Sequence, residues 1–122
     1  MMYSVELTFK DFLGNERTGT YTFHLSESEL LELEYKTNGE LKRTLTALSE
    51  GMHDPEALTG FFTMFIKAAY GEMSSDGLTF DKTEEIWNKF YRSNAYNDLF
   101  MKVMTDDNAA IDLINGTMPK NE

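Results

Sequence analysis

The chain has 122 residues, 41% of them hydrophobic, with a net charge of −10 and no cysteine. That length supports one hydrophobic core and so a single domain over 1–122, while the missing thiols exclude disulfides, thiolate catalysis and thiolate zinc sites. The 11 Lys and Arg residues are scattered, and so do not form the basic cluster that a nucleic-acid backbone requires.

Residues 3–25 read as a β-hairpin. Val5, Leu7 and Phe9 alternate with polar neighbours, and Tyr21, Phe23 and Leu25 do the same, so each arm has one apolar face. A two-residue loop at Gly14-Asn15 would set Val5 opposite His24 and mix the faces. Shifting the register by one residue restores agreement, with Val5 by Leu25, Leu7 by Phe23 and Phe9 by Tyr21. The pattern therefore predicts an odd-numbered loop or a bulge around 13–16, with Gly14 or Asn15 at positive φ. A lone ribbon is marginal, so its apolar face must meet the helices or another chain. Alternation does not say whether the ribbon packs on the helices or projects as an arm.

Residues 26–116 read as a helical body of about six short helices, followed by a flexible tail over 117–122. Ser26 caps the first helix, with Glu29 reaching back and Leu25 placed to staple onto Leu30; Tyr35 is near its end. The second helix runs from about 40 to 50, presents Leu41, Leu45 and Leu48, and stops at Gly51. Asp54 caps the third and Pro55 opens it, with Gly71 just past its end. Its apolar positions Leu58, Phe61, Phe62, Phe65, Ile66 and Ala69 cover a broad arc, which implies burial on two sides. Residues 72–80 read as a loop turning at 74–77. Thr83 starts a fourth helix with Ile86, Trp87 and Phe90. Ser93 starts a fifth with Ala95, Tyr96, Leu99, Phe100 and Val103. Thr105 or Asp106 starts a sixth, with Ala109, Ala110, Leu113 and Ile114 buried and Gly116 ending it. The class is α+β, mostly α.

Little in this pattern carries chemistry. His24 falls on the polar face of a strand and His53 in a turn, neither with a nucleophile or metal partner at a recognisable spacing. Asp76, Asp81 and Glu85 fail as a calcium loop, because Leu78 and Thr79 would occupy ligand positions. The eight glycines are isolated and make no phosphate loop. Acids pair at helix starts (Glu27 with Glu29, Asp54 with Glu56, Glu84 with Glu85, Asp106 with Asp107), where they complement the helix dipole. No enzyme activity, cofactor or metal is expected. The first ten residues lack the pattern of a signal peptide, and no apolar run reaches the roughly 20 residues of a membrane helix. A soluble, intracellular protein with no membrane or nucleic-acid partner is expected.

The last third carries a more specific signal. It contains Ala-Tyr-Gly-Glu at 69–72, Ser-Asp-Gly at 75–77, Ala-Tyr-Asn-Asp-Leu-Phe-Met at 95–101 and Ile-Asn-Gly-Thr-Met-Pro at 114–119. In this order the elements resemble the tail assembly chaperones of long-tailed bacteriophages, particularly those of phages and prophages of Gram-positive hosts. The resemblance departs from that pattern at 78–81, where relatives often carry basic residues and this chain has Leu-Thr-Phe-Asp. It implies a protein of the host cell cytoplasm, absent from the mature virion, that binds and solubilises the tape measure protein and helps recruit tail tube subunits. In many such phages a frameshift yields a longer second product.

Self-association is also expected. Exposed members of Phe61, Phe62, Phe65, Trp87, Tyr91, Tyr96 and Phe100 are the candidates for client or self contacts, with core packing the competing role for each. An acidic phage-encoded inhibitor or DNA mimic acting on a host defence protein, or a structural tail component, are the alternative functions.

Overall fold

Alternation in the N-terminal segment produces two antiparallel strands, β1 (Tyr3–Lys10) and β2 (Glu16–Phe23). The computed structural model describes residues 2–52 and 54–119; His53 and residues 120–122 of the expected tail lie outside the described residues. The loop is odd-numbered and Gly14 has a φ of 86°, as the pattern predicts. The register differs from the expected one: Val5 faces Tyr21, Leu7 faces Gly19, Phe9 faces Arg17, and Phe23 faces Tyr3. Asp11 supplies the reason. Its Oδ1 accepts from the backbone N–H groups of Leu13 and Asn15, each at 2.9 Å, and its Oδ2 accepts from Arg17 Nε at 2.8 Å. The Asp11 N–H in turn donates to the Asn15 carbonyl. This closes a loop over 11–15, and side-chain turn chemistry overrides the best overlap of the apolar faces.

The helices begin where their caps place them. Before α1 (Glu27–Lys36), Ser26 Oγ accepts from Glu29 N–H and Glu29 Oε1 accepts from Ser26 N–H, completing a capping box. Asn38 takes the left-handed conformation after α1. Gly51 does so after α2 (Glu40–Ser49), where Met52 N–H donates to the Ala47 carbonyl across the end of the helix. Asp54 caps α3 (Pro55–Ala69), Thr83 caps α4 (Glu84–Tyr91), Ser93 caps α5 (Asn94–Thr105) and Asp106 caps α6 (Asp107–Thr117). The α6 helix continues through Gly116, and buried Thr117 belongs to the body rather than to a tail.

Two short strands interrupt the segment read as a loop. β3 (Tyr70–Met73) follows α3 directly and pairs with β2, and β4 (Phe80–Asp81) pairs with β3. The result is a four-stranded sheet in the order β1-β2-β3-β4, within the expected α+β, mostly α class. Gly71 thus sits in a strand instead of capping α3. A Cβ there would lie 2.6 Å from the Phe80 ring and 2.7 Å from the Asp81 carbonyl oxygen, so glycine permits the close approach of β4.

One face of this sheet closes the core. Leu7 and Phe23 join Phe61, Phe62, Phe65 and Ile66 of α3, Trp87 and Phe90 of α4, Leu99 and Val103 of α5, and Leu113 and Ile114 of α6. The hairpin packs on the helices, with β1 against α5 and α6. Burying each phenylalanine side chain contributes about 1.5–3 kcal/mol, which makes α3 the main source of cohesion. Lys82 fastens the periphery. Its Nζ donates to the carbonyls of His24 (2.7 Å) and Ala68 (2.9 Å) and to Glu29 Oε2 (2.8 Å), joining the ends of β2 and α3 to α1.

Candidate functional site

His24 is the one histidine among the described residues. His24 lies just beyond β2 and is half-buried, its ring edge-on to Phe80 at 5.8 Å, and its buried Nδ1 has no hydrogen-bond partner among the described residues. Among the described residues no cluster of three or more His, Asp or Glu side chains is placed to hold a metal ion. No helix among them is long and apolar enough to cross a membrane. Several acids at helix starts act on backbone: Asp54 accepts from Glu56 N–H, and Asp106 accepts from the N–H groups of Asn108 and Ala109.

The aromatic candidates divide by position. Phe61, Phe62 and Phe65 are fully enclosed on α3, and Trp87 and Tyr96 are buried between α4 and α5. These five hold the monomer together and are not free to touch a partner. Tyr91, at 45% exposure, and half-buried Phe100 are the members that reach the surface. Both are braced from behind. Tyr91 stacks on Trp87 at 5.1 Å and meets Tyr96 at 5.0 Å, while Phe100 stacks on Tyr96 at 5.7 Å. The array continues inward through Phe90 to Tyr70, whose rings stack at 4.1 Å. Burial pushes the Tyr70 phenol up to about 12, with the Glu72 and Tyr21 charges adding to it. Burial also raises the Tyr96 phenol, against the opposing pull of a hydrogen bond from Thr63. Both shifts favour the neutral phenol, and Tyr91 and Phe100 form the part of this aromatic array that reaches the surface.

Other exposed apolar groups escaped the sequence reading. Leu31 and Tyr35, 59% and 78% exposed, stand one turn apart on α1. Their signal was present: with Leu30 and Leu33 turned toward the core, residues 31 and 35 must share another face. Phe12 and Leu13 project from the hairpin loop, where adjacent large apolar residues are themselves unusual. Exposed Leu78 and Met73 flank a groove of about 750 Å³ that also includes Met2, His24 and Phe80. The 78–81 segment offers the exposed side chain of Leu78. These groups are exposed apolar side chains, which suit protein contact and offer no reacting group.

A family model described as "Phage tail assembly chaperone" matches residues 2–121. The chain belongs to the phage tail assembly chaperone family. The match spans the hairpin as well as the last third, so the N-terminal ribbon is part of the family's domain and not an appendage. For a tail assembly chaperone the useful chemistry is non-covalent, consistent with a surface built from apolar side chains and helix-capping acids. Comparison with curated proteins and with solved structures finds no match.

Proposed function

We propose that this tail assembly chaperone binds the tape measure protein in the host cytoplasm, keeps it soluble until the tube encloses it, helps recruit tail tube subunits, and leaves before the virion matures. The observation that carries the reading is the set of apolar side chains held outward on a body whose own core is complete: Leu31 and Tyr35 along α1, and Tyr91 with Phe100 at the α4–α5 corner. A tape measure is a long helical protein with apolar stripes that have no tube around them during assembly. Leu31 and Tyr35 form a matching stripe, since residues four apart on a helix stand over one another. The net charge of −10 gives the coated complex mutual repulsion, which opposes aggregation. Many weak contacts along one client add up through avidity.

Co-expression tests this directly. The tape measure protein made together with this chain is expected in the soluble fraction and to co-purify with it. A tape measure that stays as insoluble as when made alone overturns the proposal. Mass spectrometry of purified particles tests the release step: the chain is expected to be missing from virions in which the tape measure is present.

A further inference from the structure

Two asparagines are followed by glycine: Asn38-Gly39 in the turn between α1 and α2, and Asn115-Gly116 inside α6. In such a pair the side-chain amide is open to its own backbone, because the next residue has no Cβ to keep its nitrogen away from the amide carbon. Asn38 is exposed, and its side-chain amide makes no hydrogen bond among the described residues. A Cβ at Gly39 would meet only Arg43 Nη1, at 3.5 Å, so the approach to this peptide group is clear.

The folded turn keeps the Gly39 nitrogen engaged. Asn38, with a φ of 54°, is the one non-glycine residue at positive φ among the described residues. Its N–H donates to the Tyr35 carbonyl at 3.4 Å, and the Gly39 N–H donates to the Glu34 carbonyl at 2.9 Å, which closes the end of α1. Arg43 adds a latch: its Nη1 donates to the Asn38 carbonyl, and so holds the peptide plane that must rotate before the nitrogen can reach the side chain. The latch is a single long, exposed side chain, and the turn can open without disturbing the core. Asn115 has no comparable exit. It lies within the hydrogen-bonded turns of α6, and the Tyr3 ring covers Gly116.

We propose that Asn38 is a site of spontaneous conversion to aspartate and isoaspartate, gated by the Arg43 latch. When the turn opens, hydroxide takes the Gly39 amide proton and the nitrogen attacks Asn38 Cγ. The new bond closes a succinimide ring as the Cγ–Nδ2 bond breaks, and Nδ2 leaves as ammonia with a proton from water. Water then adds to one of the two ring carbonyls. Addition at Cγ gives aspartate, and addition at the main-chain carbonyl gives isoaspartate. Overall one water is taken up and one ammonia is released, with no change of oxidation state. Either product adds a negative charge between Lys36 and the Lys42-Arg43 pair. Aspartate keeps the main chain intact and sets an acid at the start of α2, where the helix dipole favours it. Isoaspartate lengthens the main chain by one carbon between α1 and α2, which breaks the closed turn and loosens the mounting of α1. The reaction needs neither a client nor a second copy, and stands or falls separately from tape measure binding.

Peptide mapping by mass spectrometry tests it, on the full chain held for weeks at physiological temperature and mildly alkaline pH, with isoaspartyl methyltransferase scoring the rearranged product. Asn38 is expected to convert at least about tenfold faster than Asn115, because its turn opens locally. Arg43→Gln, with unchanged circular dichroism, is expected to speed conversion at Asn38 about threefold by removing one hydrogen bond that holds the turn. In urea the two sites should convert at similar rates and Arg43→Gln should change nothing, since the gate is then gone. Native Asn38 that lasts as long as Asn115 would overturn the proposal. So would an Arg43→Gln variant that converts at the wild-type rate or more slowly, or a difference between the two sites that persists undiminished in urea.

Discussion

The ring of Tyr3 lies directly on the backbone of Gly116: a Cβ at position 116 would stand 2.2 Å from Tyr3 Cδ1 and 2.7 Å from its Cγ. A glycine inside a helix costs roughly 0.5–1 kcal/mol relative to alanine, and here that cost is offset by a seat for the first residue of β1. Gly116→Ala is expected to destabilise the protein by about 1–3 kcal/mol through overpacking. In a Tyr3→Ala background the same change should become neutral or stabilise by up to about 1 kcal/mol, since only the helix preference remains. Urea unfolding of the four proteins in this cycle measures the coupling. Additive effects would show that ring and glycine do not share the space.

The Lys82 clasp makes part of the stability depend on pH. Burial by itself raises the Glu29 carboxyl, but the hydrogen bond from Lys82, the Ser26 N–H and the Lys82 charge outweigh it, leaving Glu29 below its ordinary value. A carboxyl lowered by folding binds protons more readily in the unfolded chain, so its contribution is full above the unfolded value of roughly 4.3 and fades as pH falls through the lower folded value. The stability gap between wild type and Glu29→Gln is therefore expected to be widest near neutral pH and to shrink below about pH 4.5. Lys82→Met should cost about 2 kcal/mol at pH 7 by leaving the Ala68 and His24 carbonyls without their donor. A gap that stays constant from neutral to acid pH would contradict the first expectation.

Asp11 is expected to control the register of the hairpin. Asp11→Ala removes the acceptor for Leu13, Asn15 and Arg17 together, and should lower the stability of the hairpin. Amide exchange in β1 and β2 is expected to accelerate most near 9–17, where the ladder closes. Unchanged protection across these strands would mean that packing alone holds the pairing.

Core and contact aromatics should separate cleanly. Phe62→Ala, at a fully buried position, is expected to lose about 3–5 kcal/mol. Tyr91→Ser, or Leu31→Ser with Tyr35→Ser, should leave the unfolding midpoint within about 1 kcal/mol of wild type while reducing the soluble tape measure recovered on co-expression. Full recovery with all three exposed residues replaced would place the client contact elsewhere.

What could be read in advance follows the range over which each signal acts. Ser26, Asp54, Pro55, Thr83, Ser93 and Asp106 announce helix starts because a cap involves atoms only two or three residues away. Alternation gave the faces of β1 and β2 correctly, but the pairing that Asp11 imposes depends on hydrogen bonds among loop residues. β3 and β4, at four and two residues, are too short to show a period of two. Gly71 and Gly116 read as helix terminators because glycine commonly ends helices. In the fold both serve as empty space for a neighbour, Phe80 in one case and Tyr3 in the other. For the surface, composition could not tell Phe62 from Tyr91, since exposure is decided by which element packs over which.

The seat of Tyr3 on Gly116 also sets an order of events during synthesis. The first strand leaves the ribosome long before the helix it rests on, and its β2 neighbour must wait for β3 before that edge is paired. Until then the nascent ribbon has a greasy underside with nothing to cover it. Translation must run almost to the end of α6 before the Tyr3 ring can take its seat, so a chain halted earlier in that helix would hold β1 by α5 and β2 but leave this ring without its place.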